Sequence, residues 1–214
     1  MATKIVLFDV MGTLVSEPFL ESIPAFFGMS LEQLLLDKHP HGWVDFEHGK
    51  ISEAEYLQNF FRDGRTFDHR AFTTMIRESY QLLPGVEVLL DAVKKAGHPM
   101  YALSNYPEWW RLIEEKLQLS RWIEWDFVSC KMGLRKPNPE AYRYVLRNLG
   151  ILVSQCALVD DRSVNLKAAA EVGMQVILRE ESAARLWHDL AAAGIDLGPP
   201  PPDRFRSHRP PPRG

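Results

Sequence analysis

Three times along this 214-residue chain an apolar run ends abruptly in polar groups that can do chemistry. Lys4 to Phe8 delivers Asp9 and the small-residue turn at Gly12 and Thr13. Tyr101 to Leu103 delivers Ser104 and Asn105, and Ala157 to Val159 delivers Asp160 and Asp161. Short apolar runs bounded by turn signals read as buried strands. In open α/β sheets, ligands bind beyond the carboxyl ends of the strands. One strand-terminating Asp before a glycine turn is commonplace, but the repetition predicts a parallel sheet whose strand ends converge on a single crevice.

The chain between these runs supports that architecture. Helical apolar spacing runs from Val86 to Ala96 and stops at Gly97, a residue suited to a left-handed C-terminal cap. Met100–Leu103 reads as the second core strand, Trp109–Leu117 as a helix and Asp126–Ser129 as a short strand. Asn138 and Pro139 supply cap and first-turn signals for a helix over Glu140–Leu149. Cys156–Val159 is the next strand, Ser163–Val172 a helix ending at Gly173, and Gln175–Leu178 a further strand. This alternation predicts an α/β, Rossmann-like core of parallel strands flanked by helices, formed by residues 1–14 and 83–197.

Residues 15–82 have a different character and read as a helical cap inserted after the first strand. Ser30 with Gln33, and Ser52 with Glu55, have capping-box spacing, and Asp68 can open another helix. Phe26, Phe27, Trp43, Phe46, Phe60 and Phe61 suit the interior of such a unit. Residues 198–214 carry seven prolines and several arginines without apolar periodicity, and read as an unpacked, extended tail.

The polar groups form a chemical set. A carboxylate nucleophile (Asp9), a hydroxyl (Ser104), a lysine (Lys136, in Gly133-Leu134-Arg135-Lys136-Pro137-Asn138-Pro139) and an acidic pair (Asp160, Asp161) suit phosphoryl transfer assisted by a divalent metal. Mg²⁺ is the expected cofactor, because a hard ion prefers oxygen ligands. Ser104, Asn105 and Lys136 are candidate phosphate contacts. Asn165, four residues after Asp161, can orient the acidic pair. A net charge of −3 offers no general attraction for nucleic acid or anionic lipid, so any phosphate-binding charge must be local. The two cysteines, Cys130 and Cys156, are too few for a disulfide framework and favour a reducing compartment.

In order, spacing and residue type these four segments resemble the motifs of the haloacid dehalogenase superfamily of hydrolases, over Lys4 to about Leu178. The resemblance implies that Asp9 attacks the phosphate ester to give an aspartyl-phosphate. It also implies that Mg²⁺ is held by Asp9, Asp160, Asp161 and the main-chain carbonyl of Met11, with Thr13 in support, and that residues 15–82 close over the site. More narrowly, Asp9 to Leu14 with Glu17-Pro18-Phe19 and Ile23 to Met29 resembles the FMN hydrolase type of plant chloroplasts. Lys38-His39-Pro40, Asn59 to Arg65 and Ser104 to Pro107 add to that likeness. It implies FMN as a small-molecule substrate, and places Tyr106, Trp109 or Trp110 as candidate walls for the flavin ring.

The departure from the superfamily pattern is Met11. Most phosphatases that this chain resembles carry a second Asp there, which protonates the leaving alcohol and then activates water; the FMN hydrolase type also carries methionine. Methionine transfers no proton, and its presence leaves Glu17, His39, His41, His48 or the substrate itself to do so. Two alternatives share the pattern: a metal-independent haloacid dehalogenase, and a weakly active or non-catalytic binding protein. The adjacent acidic pair favours the metal-dependent reaction, since burying it without a cation is costly. No bilayer-spanning apolar run and no leader pattern is visible, so the expected location is cytoplasmic, or plastidic if a transit peptide precedes the sequence given.

Overall fold

The computed structural model describes residues 3–180 and 182–201. Its centre is a parallel sheet of β1 (Ile5–Phe8), β2 (Met100–Ser104), β3 (Glu124–Val128), β4 (Cys156–Asp160) and β5 (Gln175–Leu178), in the order β3-β2-β1-β4-β5. The chain first builds outward from β1 through β2 to β3, then crosses to the other side of β1 for β4 and β5. The direction of winding therefore reverses at β1, the kind of switch point where the loops beyond neighbouring strands part and leave a crevice.

Alternation along the strands divides the interior into two layers. Val6, Phe8, Ala102, Ala157 and Val159 face one apolar cluster, while Leu7, Leu103, Cys156 and Leu158 face the other. The first cluster is covered by α6 (Val86–Lys95), α7 (Trp110–Leu117) and α11 (Ala183–Ala192), through residues such as Leu89, Ile113 and Leu186. The second is covered by α9 (Pro139–Leu149) and α10 (Ser163–Glu171), through Tyr142, Val145, Leu166 and Ala169. Asn138 caps α9 by accepting from the Glu140 amide at 2.9 Å, with Pro139 in the first turn. Both cysteines are free. Among the described residues no helix is long and apolar enough to cross a membrane.

Three differences from the expected elements stand out. β3 lies two residues earlier than its anticipated start, because Trp125 and Phe127 are its inward residues and Glu124 and Asp126 its outward ones. Cys130 lies in a short helix, α8 (Ser129–Met132), and α11 follows β5 where no helix was expected.

The chain leaves the core at Val15 and returns at Leu82, and these two residues form an antiparallel bridge. Between them lie α1 (Ser22–Phe27), α2 (Leu31–Asp37), α3 (Gly42–Glu47), α4 (Glu53–Gln58) and α5 (His69–Ser79). Local capping explains several starts. Ser52 and Glu55 form a reciprocal capping box, and Asp68 accepts from the Ala71 amide. Ser30 caps α2, but the Gln33 side chain turns forward to Asp37, so that box is half made. The interior of the insertion is aromatic: the Phe27 ring lies 4.9–5.4 Å from those of Phe26, Phe60, Phe61, Phe67 and Phe72. Of the expected tail, residues 202–214 lie outside the described residues; Gly198 is tied to the core by the Trp187 indole N–H at 2.9 Å.

Phe72 is fully buried and touches Phe26, Phe27, Phe60, Phe67 and Trp109. Phe72→Ala should cost about 3–5 kcal/mol, read as a fall in the midpoint of urea denaturation.

Candidate active site

β1, β2 and β4 are neighbours, so their carboxyl ends bring Asp9, Ser104 and Asp160 together by topology alone. Lys136, in the loop between α8 and α9, completes the group. Its ammonium is 1% exposed and donates to Asp9 Oδ1 at 2.8 Å and to Asp160 Oδ2. Burial alone would lower the lysine's pKa, but the two carboxylates outweigh it and the net shift is upward. Lys136 is thus a permanent cation. The loop that carries it is clamped by Asn105, whose side chain donates to the Lys136 carbonyl and accepts from the Lys136 amide, both at 2.8 Å.

Asp9 is nearly buried, and burial pushes its carboxyl up to about 7, with Lys136 opposing and Asp160 and Asp161 adding to the rise. Thr13 Oγ1 donates to its second oxygen at 3.4 Å. Asp160 is fully buried and both of its oxygens are engaged: Oδ1 accepts from the Arg162 amide and Asn165, Oδ2 from Lys136 and Asn165. Asn165 therefore orients Asp160 and makes no bond to Asp161. Asp161 is exposed to the cavity, and partial desolvation with the adjacent Asp160 raises its carboxyl.

One oxygen from each of Asp9, Asp160 and Asp161 can be chosen so that all lie within 4.8 Å of one another. Three carboxylates against one ammonium leave two formal negative charges, and every donor is a hard oxygen. The set fits a divalent ion such as Mg²⁺. Each Asp9 oxygen accepts a single hydrogen bond and Asp161 faces the cavity, whereas Asp160 already serves four hydrogen bonds. Asp160 is better suited to holding its neighbours than to direct ligation. Met11, 9% exposed, lines the same space and offers only its carbonyl as a hard donor.

The Ser104 hydroxyl is buried beside this group without a hydrogen-bond partner among the described residues. An unpaired buried hydroxyl costs about 1–3 kcal/mol, which a phosphoryl oxygen would recover. Asn105, expected among the phosphate contacts, has one amide hydrogen left after clamping Lys136, so its main work is to position the lysine.

Gly12 explains the strict turn after Asp9. Its φ of +76° favours glycine, and a Cβ there would lie 2.6 Å from Asp161 Oδ2. The turn thus packs directly under the acidic pair.

The site opens into a cavity of about 680 Å³ lined by Asp9, Met11, Asn105, Lys136 and Asp161 at its base. Its outer wall comes from the insertion and the loop before it: Glu17, Phe19, Leu20, Leu35, Lys38, Trp43 and Glu47. Of the expected ring contacts, Tyr106 lines this cavity. Trp109 is buried, with its indole N–H on Glu53, and Trp110 packs on Trp125 along a separate groove. Sequence reasoning missed Phe19, Leu20, Leu35, Lys38 and Glu47 as wall residues, together with Arg135. Glu47 accepts from Arg135 at 2.7 Å, linking α3 to the residue before Lys136.

Two measurements test this arrangement. Because Asp9 must lose its proton to bind a cation, Mg²⁺ affinity measured by calorimetry should fall as the pH drops through about 7. Gly12→Ala should weaken Mg²⁺ binding at least tenfold by displacing Asp161, at a cost in thermal stability of only a few degrees.

The haloacid dehalogenase-like hydrolase family matches residues 3–173. The chloroplastic flavin mononucleotide hydrolase 1 of Arabidopsis thaliana is 44% identical over 196 residues, covering 92% of this chain and 80% of that protein. A sesquiterpene phosphatase of Aspergillus oryzae is 27% identical over 181 residues, covering 80% and 87%. In three dimensions, a HAD family enzyme of Bacteroides thetaiotaomicron, solved with magnesium and inorganic phosphate, superposes with a TM-score of 0.66 at 22% identity, over 87% of this chain and all of that one. With its fold, its motif order and a family match across most of its length in agreement, this chain belongs to the haloacid dehalogenase-like hydrolases.

Proposed function

We propose that this chain is a Mg²⁺-dependent phosphomonoester hydrolase that works through an aspartyl-phosphate on Asp9, with FMN as its substrate. The observation that carries the reaction class is the Asp9–Lys136 carboxylate–ammonium pair at the base of an open cavity, with the unpaired, buried Ser104 hydroxyl at the carboxyl end of the neighbouring strand β2. That combination suits a tetrahedral anion and a nucleophile in one place. The substrate assignment is supported by the 44% identity to an FMN hydrolase.

Asp9 attacks phosphorus in line with the leaving oxygen, and Lys136 holds Asp9 by its other oxygen while offering positive charge to the phosphoryl group. Ser104 donates to a phosphoryl oxygen. Asp160 and Asn165 keep Lys136 and the acidic loop in place, and Asn105 fixes the lysine's backbone. Asp9, Asp161 and the Met11 carbonyl would hold the cation. Bound there, it supplies neutralisation of the charge on the phosphoryl oxygens. The deficit of positive charge at the acidic triad favours this reaction over metal-free haloacid chemistry.

Residues 15–82 act as a cap that supplies the outer wall, a role consistent with the paired chain segments at Val15 and Leu82. A volume of about 680 Å³ is within the usual range for small-molecule sites. Phe19, Leu20, Leu35, Trp43 and Tyr106 offer an apolar wall to an isoalloxazine ring. The Lys38 ammonium, 5.7 Å from the Phe19 ring centroid, can meet the ring's carbonyl edge. Two free cysteines suit a reducing compartment, cytosol or plastid stroma.

Phosphate release from FMN should require Mg²⁺, stop on chelation, and fall below about a thousandth of the wild-type rate in Asp9→Asn. Turnover of other phosphomonoesters but not FMN would sink the flavin assignment alone; an undiminished Asp9→Asn rate would sink the mechanism.

A further inference from the structure

Met11 leaves the site without the usual proton carrier, and the cavity contains one group placed to replace it. Four carboxylates line the space: Asp9, Glu17, Glu47 and Asp161. Asp9 is the nucleophile and Asp161 the cation ligand in the reading above. Both Glu47 oxygens are taken, Oε1 by the Trp43 indole and Oε2 by Arg135. Glu17 accepts from the Phe19 amide through Oε1 at 3.0 Å, while its other oxygen has no partner among the described residues.

The histidines considered from the sequence are elsewhere. His39 Nδ1 accepts from the amides of His41 and Gly42, and the His48 ring contacts the Val44 carbonyl. None of His39, His41 and His48 lines the cavity. Tyr106 does, but its hydroxyl is bonded to that of Tyr80, and burial raises its pKa far beyond use as a base.

Building on the phosphatase reading, we propose that Glu17 is the acid and base of this site, protonating the leaving alcohol and then deprotonating the attacking water. As the Asp9 oxygen–phosphorus bond forms and the ester P–O bond breaks, the Glu17 proton passes to the departing alkoxide oxygen. The resulting carboxylate takes a proton from water as the water oxygen attacks phosphorus. The Asp9–phosphorus bond then breaks, and free phosphate leaves with both side chains restored.

The setting suits the task. Glu17 is exposed to the cavity, where partial desolvation by the surrounding walls raises its carboxyl, and Glu47 and Asp161 add to the rise against the Phe19 amide. The charged and titratable groups around it are Glu47 on α3, Asp161 beyond β4, Tyr80 after α5 and Tyr106 beyond β2. Lys38 and Arg162 line the same cavity as cations. A carboxyl so raised stays protonated nearer to neutral pH, which a proton donor requires.

The test compares the full-length wild type with Glu17→Gln on FMN and on p-nitrophenyl phosphate, whose leaving group departs without a proton. Glu17→Gln should lower FMN turnover about 10²–10⁴-fold and abolish the loss of kcat that wild type shows as pH rises through the Glu17 pKa. With p-nitrophenyl phosphate the same variant should release a fast burst of about one p-nitrophenol per protein, then turn over slowly because water activation is lost. Mg²⁺ affinity by calorimetry should be unchanged, and Glu17→Asp should recover part of the FMN rate. Equal slowing of the burst and of FMN turnover, a retained pH limb, or unaltered FMN turnover would overturn the role of Glu17 and leave the phosphatase reading intact. A wild type inert toward both esters would overturn both.

Discussion

The site depends on one buried cation. The Lys136 ammonium, out of reach of water, bridges the carboxylate that follows β1 and the one that ends β4. Burying any of these three charges singly would be prohibitive, and mutual attraction in a medium of low polarity is what makes the cluster tolerable. The compensation is incomplete. With Asp161 added, two negative charges remain, and the upward shifts of Asp9 and Asp161 record that imbalance. A site left in electrostatic debt in this way is prepared for a divalent cation, and the cation in turn prepares it for an anionic substrate.

Around this cluster the protein spends its polar groups on placement. Asn105 grips the backbone of Lys136, Asn165 holds both oxygens of Asp160, and Arg179 at the end of β5 donates to the Thr13 carbonyl at 3.2 Å. The helical insertion joins the same network through Glu47 and Arg135, and through Ser129, whose hydroxyl donates to the Glu47 carbonyl at 2.6 Å. The wall that faces the substrate and the loop that carries the lysine are therefore mechanically connected.

Most of the core could be read from the chain because its signals are local. Lys4 to Phe8, Met100 to Leu103 and Gln175 to Leu178 are compact apolar runs between turn residues, and Asn138-Pro139 announces α9 without reference to anything distant. Asp9, Ser104 and Asp161 stood out because each sits at or just past the end of such a run, and Lys136 because it lies just ahead of the Asn138-Pro139 signal. The outer wall had no such mark. Phe19, Leu20, Leu35 and Lys38 meet the site only through the way the insertion folds back, and the Glu47–Arg135 pair joins residues 88 apart in sequence. Asn105 illustrates the same limit: its position beside the candidate Ser104 hydroxyl was legible, but its partner, the backbone of a loop 31 residues on, was not. β3 was misplaced because its outward Glu124 and Asp126 look like flanking loop when the sheet beneath them is unseen.

The sheet order also carries a consequence for how the molecule comes into being. β1 is made first, yet its neighbour β4 begins 151 residues later, where Ile5 pairs with Cys156. Contacts between such remote stretches close large loops and form late. During synthesis β1 must wait, unpaired on one edge, until β4 has emerged. Competence for chemistry thus waits on β4, and a chain terminated before it lacks Asp160 and Asp161 altogether.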